Sequence, residues 1–203
     1  MNDMYSLPSS THIGKQLFKK TLFEKFSLRP AQRTAFDADI SRLDIMERIA
    51  PTTLPGIAAG EEVKEFYVLA VQLKQKTYQE QTLSLLVKFI PHRMVFALHY
   101  EERVQWAVFH TRLITSPWMP QAEATLHLEG LNLDSVWNNL VADIGRIAVR
   151  QGNTLAEQIQ ENMAQAKLRK QLVALQHQLN QERQFNKQIE INARIKAIKK
   201  QLK

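Results

Sequence analysis

The last quarter of the chain lacks the residues that usually interrupt helices, and this feature constrains the fold most strongly. In a chain of 203 residues, the last proline is Pro120 and the last glycine is Gly152. Beyond Gly152 the only aromatic residue is Phe185, while Gln, Lys, Leu and Ile become frequent. This composition is typical of one long helix or a pair of helices. We therefore predict a helical tail over 153–203 that follows a folded domain over 1–152.

Leucine and isoleucine recur within this tail at the four-three-four spacing of a helical seam. Two such seams are separated by a polar segment over 182–187, and the shift between them rotates the apolar face by about 120°. Each seam covers about two heptads, fewer than the three or four that define a coiled coil. Two interpretations remain open: a bent or antiparallel pair of helices, or one helix that meets two different partners. In either case we predict that the seams are the partner-binding residues, which are Leu168, Leu172, Leu175, Leu179, Ile191, Ile195, Ile198 and Leu202.

The tail also carries nearly all of the net charge. From position 154 onward there are ten Lys or Arg and four Asp or Glu, which accounts for +6 of the total of +7. Four lysines recur at i, i+3, i+4 and i+7, so they share one helix face. They could follow a phosphate backbone, although a solvated face near a helix C-terminus explains the same pattern. The predicted nucleic-acid-binding residues are Lys196, Lys199, Lys200 and Lys203.

The body of the chain mixes helical and alternating apolar patterns, which predicts an α+β fold with a small mixed sheet packed with helices. Between Thr77 and Pro91, a capping-box pattern that ends at Glu80 predicts the start of a helix. A two-residue turn at 101–102 would pair His99 with Val104. The other predicted helices cover 27–49 and 134–149, and the predicted strands cover 63–73, 93–100, 104–114 and, as a short edge strand, 125–128.

Carboxylates are present in the body, but they do not form a catalytic pattern. A nuclease of the restriction type needs acidic residues at a strand end, followed by Glu-x-Lys, to hold Mg²⁺. That motif is missing from the sheet region, so a diverged enzyme would have to use Glu65 and Glu80. We expect Asp37, Asp39 and Asp44 to lie on a solvated face of the first predicted helix. The residue patterns therefore favour a protein without catalytic residues of its own.

Metal and phosphate sites are not predicted either. His99 and His110 lie on neighbouring predicted strands, more than ~10 Å apart along the ladder, which is too far to share an ion. The chain has six glycines and none of the glycine-rich phosphate-binding motifs. We expect no cofactor and no metal.

The absence of cysteine excludes disulfides and thiolate zinc sites, and it fits a reducing compartment. No apolar run approaches the ~18 residues that span a bilayer. The first residues show no basic segment followed by an apolar run, so no secretory signal is expected. These features predict a cytoplasmic protein that does not enter a membrane.

Four segments, 5–15, 63–71, 89–98 and 182–192, resemble the bacterial domain-of-unknown-function family 4391 in their order along the chain. The resemblance extends over nearly the whole sequence. It implies genes for helicase-like proteins and DNA methyltransferases as neighbours, in restriction–modification or phage-defence loci. It implies no catalytic residues.

These observations lead to one expectation and two alternatives. We expect a non-catalytic accessory subunit of a bacterial defence or restriction–modification complex. Its tail would dock a larger partner, helicase-like or a DNA methyltransferase, and would touch the DNA backbone. The alternatives are a diverged Mg²⁺-dependent nuclease and a homodimeric module that binds DNA without sequence specificity.

Overall fold

The computed structural model describes residues 4–26 and 28–202, and the chain divides into two compact units, Met1–Ala148 and Val149–Lys203. We call the first unit the body. The second unit consists of two long helices, and we call it the hairpin. The predicted α+β class is confirmed, with a mixed sheet in the body and helices at the C-terminal end. No helix among the described residues is both long enough and apolar enough to cross a membrane.

Among its described residues the body contains four α-helices and seven strands, besides three 3₁₀ turns of three residues each. In chain order the elements are β1 (His12–Gln16), α1 (Lys19–Phe26), α2 (Pro30–Asp39), β2 (Ile40–Ile49), β3 (Phe66–Leu73), α3 (Glu80–Phe89), β4 (Arg93–Tyr100), β5 (Arg103–Phe109), β6 (Leu113–Thr115), β7 (Met119–Pro120) and α4 (Leu133–Gly145).

Strand order in the sheet follows chain order from β1 to β6, and β7 pairs with β5. Only β3 and β4 are parallel, because the helix α3 connects them and returns the chain to the same edge. All the other pairs are antiparallel. At the turn between β4 and β5, His99 pairs with Val104 as predicted.

Strand β3 is an interior strand, and apolar side chains lie on both of its faces. On one face Leu69 and Val71 pack in the main apolar core, together with residues of α2 and α3. On the opposite face Phe66 meets Trp137 of α4 edge-to-face, with 5.3 Å between the ring centroids. Helices therefore cover one face fully and the other face near the start of β3.

The prediction of one helix over 27–49 is wrong in its second half, and Ser27 itself lies outside the described residues. Helix α2 ends at Asp39, and the following residues form β2. Register shifts interrupt the pairing of β2 between Ile40 and Arg42 and again farther along the strand. Such bulges break the two-residue alternation of a strand. The buried residues Ile40 and Leu43 are therefore three apart, which is a helical spacing.

The predicted capping box at Thr77 and Glu80 is also wrong, because α3 begins at Glu80 and its N-cap is Gln79. The cap comes instead from a residue distant in sequence. The Asp39 carboxylate accepts hydrogen bonds from the Gln79 backbone N–H at 2.9 Å and from the Thr82 hydroxyl at 2.7 Å. Asp39 is 2% exposed. The prediction that it lies on a solvated face is therefore wrong.

Three further predicted boundaries differ from the structure. The strand predicted over 104–114 is interrupted after Phe109, so that β5 and β6 form separate antiparallel partners. No strand forms over 125–128, and the extra pairing to β5 comes from β7 instead. Helix α4 ends at Gly145, where Arg146 adopts a left-handed conformation as C-cap.

The N-terminus of α4 fixes the irregular connection that leads into β3. Asp134 accepts hydrogen bonds from the backbone N–H groups of Glu61 at 2.6 Å and Val63 at 2.7 Å, with Glu62 also in reach. These amides lower the pKa of Asp134, the Val63 amide most strongly. Gly60 is required here because a Cβ at this position would lie 2.2 Å from an oxygen of Asp134.

The hairpin contains α5 (Leu155–Gln181) and α6 (Phe185–Gln201), joined by three residues. The two helices pack against each other, and so short a connection makes them antiparallel. Thr154 caps α5 in a capping box with Glu157. At the connection, the Glu182 carboxylate accepts the backbone N–H groups of Arg183 and Gln184. Of the two interpretations of the tail, the pair of helices is therefore the correct one.

Candidate functional site

An open cleft lies on the face of the sheet opposite the main apolar core. Ala70 and Gln72 of β3 line it, farther along the strand than the point at which Trp137 covers Phe66. Its volume is about 410 Å³. The residues that line it are His12, Gly14, Arg42, Asp44, Met46, Ala70, Gln72, His99 and Gln121.

A bulge in β2 brings two carboxylates to the cleft side of the sheet. Asp44 pairs with Ala70 and Glu47 pairs with Val68, which makes Met46 the extra residue between them. Residues three apart in a regular strand point to opposite faces, but one inserted residue returns both side chains to the same face. Asp44 is therefore a cleft residue, and its prediction as part of a solvated helix face is wrong.

Glu47 is a buried carboxylate that fixes the orientation of an exposed histidine. The Glu47 side chain is 3% exposed. One of its oxygens accepts a hydrogen bond from the Thr11 hydroxyl at 2.8 Å, and the other lies 3.2 Å from His12 Nδ1. The backbone at Gly14 leaves room for the imidazole, since a Cβ there would lie 2.8 Å from His12 Nε2. The Glu47 carboxylate therefore fixes the His12 ring, which lines the cleft.

Asp44 holds the guanidinium of Arg42 in the same way. Arg42 Nε and Nη2 donate to the two oxygens of Asp44 at 2.8 and 2.9 Å, which is a bidentate arrangement. The Arg42 side chain is 59% exposed and that of Asp44 is 16% exposed. The Asp44 carboxylate therefore lies in the floor of the cleft, and the planar guanidinium of Arg42 is the more exposed group of the pair.

A buried tyrosine contacts His99, one of the residues that line the cleft. The Tyr5 hydroxyl lies 2.7 Å from His99 Nε2, and the Tyr5 ring meets Trp106 edge-to-face at 4.8 Å. Burial lowers the pKa of His99. Burial also raises the pKa of Tyr5, as do the charges of Glu47 and Asp44. The pair is therefore neutral at pH 7, and one hydrogen bond joins the phenol to the imidazole.

The backbone that carries this tyrosine adopts an uncommon conformation. Tyr5 and Ser6 have φ values of 66° and 58°. A non-glycine residue in this region costs on the order of 1–3 kcal/mol, and such strain concentrates at functional sites. The N-terminal segment thus holds the ring over the sheet at an energetic cost.

Metal binding would need several ligands to converge. Among the described residues, no group of three or more His, Cys, Asp or Glu side chains is placed to hold a metal ion. The carboxylates of the cleft are each engaged by a cationic or imidazole side chain. The cleft can therefore offer stacking and hydrogen bonding through Arg42, His12 and Gln72.

The structure does not bring together the two carboxylates that the nuclease alternative would use. Glu65 directly precedes β3, whereas Glu80 begins α3 after β3 has ended. The strand between them spans about 25 Å. The Glu65 carboxylate accepts hydrogen bonds from Arg48 at 2.6 Å and from the Tyr67 hydroxyl at 2.8 Å. Arg48 lowers its pKa, so this carboxylate is an ion-pair partner.

In the hairpin, the residues predicted to bind a partner are the least exposed positions of the two helices where they pair. Ile191 and Ile195 are buried, while the other six seam residues are half-buried. Leu175 and Ile198 line one shared groove. The two seams therefore face each other, and each covers the other. Their role in binding a partner stays a prediction.

The outer face of α6 is not covered within the hairpin. Phe185 and Ile189 are 73% and 53% exposed. Farther along the same face lie Lys196, Lys199 and Lys200, which are exposed and form no ion pair within 4 Å among the described residues. The fourth predicted lysine, Lys203, lies outside the described residues. This face therefore combines an apolar beginning with a cationic end.

The fold defines an α+β protein with a helical extension. The model of the family described as Domain of unknown function (DUF4391) matches residues 6–202, and the chain belongs to this family. The resemblance inferred from sequence is thereby confirmed. Comparison with the curated proteins and with the solved structures gives no match.

Sequence reasoning did not find the cleft. Its carboxylates are brought to one face by a bulge, and a pattern search over a single segment does not reveal a bulge. Thr11 and His12 are more than thirty positions from Glu47. The available indication was the charged residues Arg42, Asp44 and Glu47, which interrupt a segment whose residues Leu43 and Ile45 pack in the core.

Proposed function

We propose that the protein is a non-catalytic accessory subunit of a bacterial defence or restriction–modification complex. In this role the hairpin contacts the nucleic-acid backbone and docks a larger protein partner. Membership of the family supports this setting, because the resemblance implies helicase-like and DNA-methyltransferase gene neighbours. The observation that carries the proposal is the outer face of α6, where Lys196, Lys199 and Lys200 lie without acidic partners among the described residues.

Backbone binding by lysines has a measurable salt dependence. Each phosphate that a lysine neutralises contributes about 0.9 to the slope of log K against log salt. Four lysines predict a slope near −3.6 for mixed-sequence duplex DNA, measured by fluorescence anisotropy. Replacing Lys196, Lys199 and Lys200 by Gln should reduce the slope by about 2.7.

A matched control separates local contact from net charge. Gln at Lys15, Lys76 and Lys88 removes the same charge from exposed positions of the body. This control protein should retain most of the affinity and the slope. Equal losses in both triple variants would contradict a contact through α6.

The partner surface needs a different test from substitution in the seams. Leu172→Asp and Leu175→Asp would place charges between α5 and α6, so loss of partner binding would only report a disrupted hairpin. The outer residues Phe185 and Ile189 are more informative, because their side chains are mostly exposed. Their contiguous apolar surface fits a protein contact.

The chain should be co-expressed with a helicase-like protein and, separately, with a DNA methyltransferase, the two kinds of gene neighbour that the family resemblance implies, and each pair then co-purified. Phe185→Ser with Ile189→Ser should abolish co-purification and leave the helical circular dichroism unchanged. Val149→Ser with Met163→Ser, at two other exposed apolar positions of the hairpin unit, should retain the partner. Full binding by the Phe185/Ile189 variant, or a concentration-dependent homodimer that excludes both partners, would contradict docking through this face.

A further inference from the structure

We propose that the cleft on the sheet binds unpaired bases of a single-stranded nucleic acid, stacked on the Arg42 guanidinium and the His12 imidazole. This inference rests on the proposed function in that both concern nucleic acid, and it adds the kind of strand that the body recognises. The two contacts are chemically different. The hairpin offers flexible cations to phosphates, whereas the cleft offers planar groups to bases.

The two exposed planar side chains of the cleft are each fixed by a carboxylate. Asp44 holds the guanidinium of Arg42 through two hydrogen bonds, and Glu47 holds the imidazole of His12 through Nδ1. More than half of each cationic or imidazole side chain is exposed. Bases of single strands stack on histidine rings and on arginine planes. A plane held in advance loses little side-chain entropy when a base stacks on it.

Both planar groups belong to one site because of the bulge at Met46. Asp44 and Glu47 are three residues apart on β2, at most about 10 Å along the strand. The small side chain of Ala70 leaves space above the floor of the cleft. Met46 adds a polarisable thioether to the lining. The cleft volume of about 410 Å³ falls within the range of small-ligand sites.

Polar groups at the rim can reach the edges of a stacked base. Gln72 is exposed at the floor, where its side-chain nitrogen donates to the carbonyl of His99 at 3.3 Å. Gln121 lines the cleft as a second amide. A primary amide carries both donors and an acceptor, so it can pair with the hydrogen-bonding edge of any base.

The charge of the cleft distinguishes this site from the hairpin. Each planar group faces a carboxylate within 3.2 Å, and these two carboxylates outnumber the single arginine, so the cleft has no excess positive charge to attract phosphates. Stacking is tolerant of base identity, and it does not release counterions as phosphate neutralisation does. The cleft should therefore contribute to affinity for single strands without adding to the salt slope.

The test measures the affinity of the full-length protein and its variants for three labelled probes by fluorescence anisotropy. The probes are a twelve-residue deoxythymidine strand, a twelve-residue uridine strand and a duplex of twelve base pairs. Arg42→Lys keeps the positive charge and removes the planar guanidinium. His12→Gln removes the planar imidazole. Arg112→Lys, at an exposed arginine away from the cleft lining, is the matched control, and thermal melting follows the fold of every variant.

We expect Arg42→Lys and His12→Gln each to weaken single-strand binding at least about fivefold, the lower end for one stacked base. Their salt slopes and duplex affinities should match those of the wild type. A loss on either strand supports the site, and the ratio of the two losses tells whether DNA or RNA is preferred. Unchanged single-strand binding by both variants overturns the inference, as does an equal loss on the duplex.

Failure of the proposed function has a different signature. If replacing Lys196, Lys199 and Lys200 by Gln leaves duplex binding unchanged, the backbone contact of the hairpin is overturned while the strand-specific loss at Arg42 still supports the cleft. A wild-type chain that binds none of the three probes overturns both nucleic-acid contacts, and co-purification then tests the docking of a partner by itself.

Discussion

In the body, buried polar side chains join residues that are far apart in sequence, whereas the side-chain hydrogen bonds of the hairpin are local. Asp39 caps a helix that begins forty residues later, and Glu47 binds the segment that contains Thr11. Between α5 and α6, no side-chain hydrogen bond or ion pair occurs among the described residues. The body is therefore specified by directional contacts, which fix one arrangement of strands and helices. The hairpin is specified by apolar spacing and a short connection.

The first prediction tests whether the two units are independently stable, and it has the largest expected effect. Phe96 is fully buried in the central strand β4, so Phe96→Ala should cost about 3–5 kcal/mol of the free energy of unfolding of the body. Ile195→Ala in α6 should cost about 2 kcal/mol, at the low end for such substitutions. Urea unfolding should be followed by tryptophan fluorescence, since all three tryptophans lie in the body, and by helical circular dichroism.

Each substitution should move only the transition of its own unit. If Ile195→Ala shifts the tryptophan-detected transition as much as Phe96→Ala does, the contrast between the two units is wrong.

The second prediction concerns the polar cap of α3. Asp39→Ala leaves the Gln79 amide and the Thr82 hydroxyl without their acceptor, so it should destabilise the body by about 2–3 kcal/mol. Asp37→Ala, two residues earlier on the same helix, removes a half-exposed ion pair with Lys19 and should cost less than about 1 kcal/mol. Chemical denaturation measures both. If both substitutions lowered the free energy of unfolding by the same amount, the buried cap at Asp39 would not be more important than the exposed ion pair of Asp37.

The third prediction concerns the connection held by Asp134. Gly60→Ala should destabilise the body by about 1–3 kcal/mol, because the new methyl group overlaps the Asp134 carboxylate and its backbone nitrogen. Gly56→Ala meets no atom within 4 Å, so its cost reflects only the positive φ and should be near 1 kcal/mol. Thermal unfolding should show the larger decrease for Gly60→Ala. The reverse order would contradict a steric role for Gly60.

The smallest expected effect is a pH dependence confined to the body. Burial lowers the pKa of His99, so the unfolded chain binds this proton more readily than the folded chain does. The free energy of unfolding should therefore fall as the pH drops below about 6.5, the ordinary value for histidine. His99→Gln should show a smaller decrease between pH 7 and pH 5.5, whereas His127→Gln, at an exposed histidine, should behave like the wild type. A decrease of the same size in His99→Gln would assign the effect to other groups.

Local patterns predicted the regular elements well and the polar contacts poorly. Strand β4 has the predicted bounds. Its residues 94–98 form an uninterrupted apolar run, and a turn follows directly after the strand. The polar segment over 182–187 contains the break between α5 and α6, although the sequence left one helix or two open. The seam residues could be placed on one face each, but sequence did not show that one seam covers the other, since pairing depends on how the chain turns.

The errors have one physical cause, which is contact between distant residues. The bulges of β2 gave Ile40 and Leu43 a helical spacing, so a strand was predicted as helix. Asp39 replaced the predicted local cap of α3 from forty residues away. The cleft was missed for the same reason, because His12 and Glu47 become neighbours only when β1 pairs with β2.

The order of the strands also has a consequence for how the body folds. Each strand from β1 to β6 pairs with the next one in the chain, so the sheet can grow by adding one strand at a time without threading a segment between strands already paired. Topologies with short loops between contacting segments fold quickly. The crossover through α3 is the one step that joins parallel strands, and because parallel pairing forms slowly, it is the expected bottleneck. As the chain leaves the ribosome, β1 to β3 can pair first, and the sheet is extended when α3 and β4 emerge.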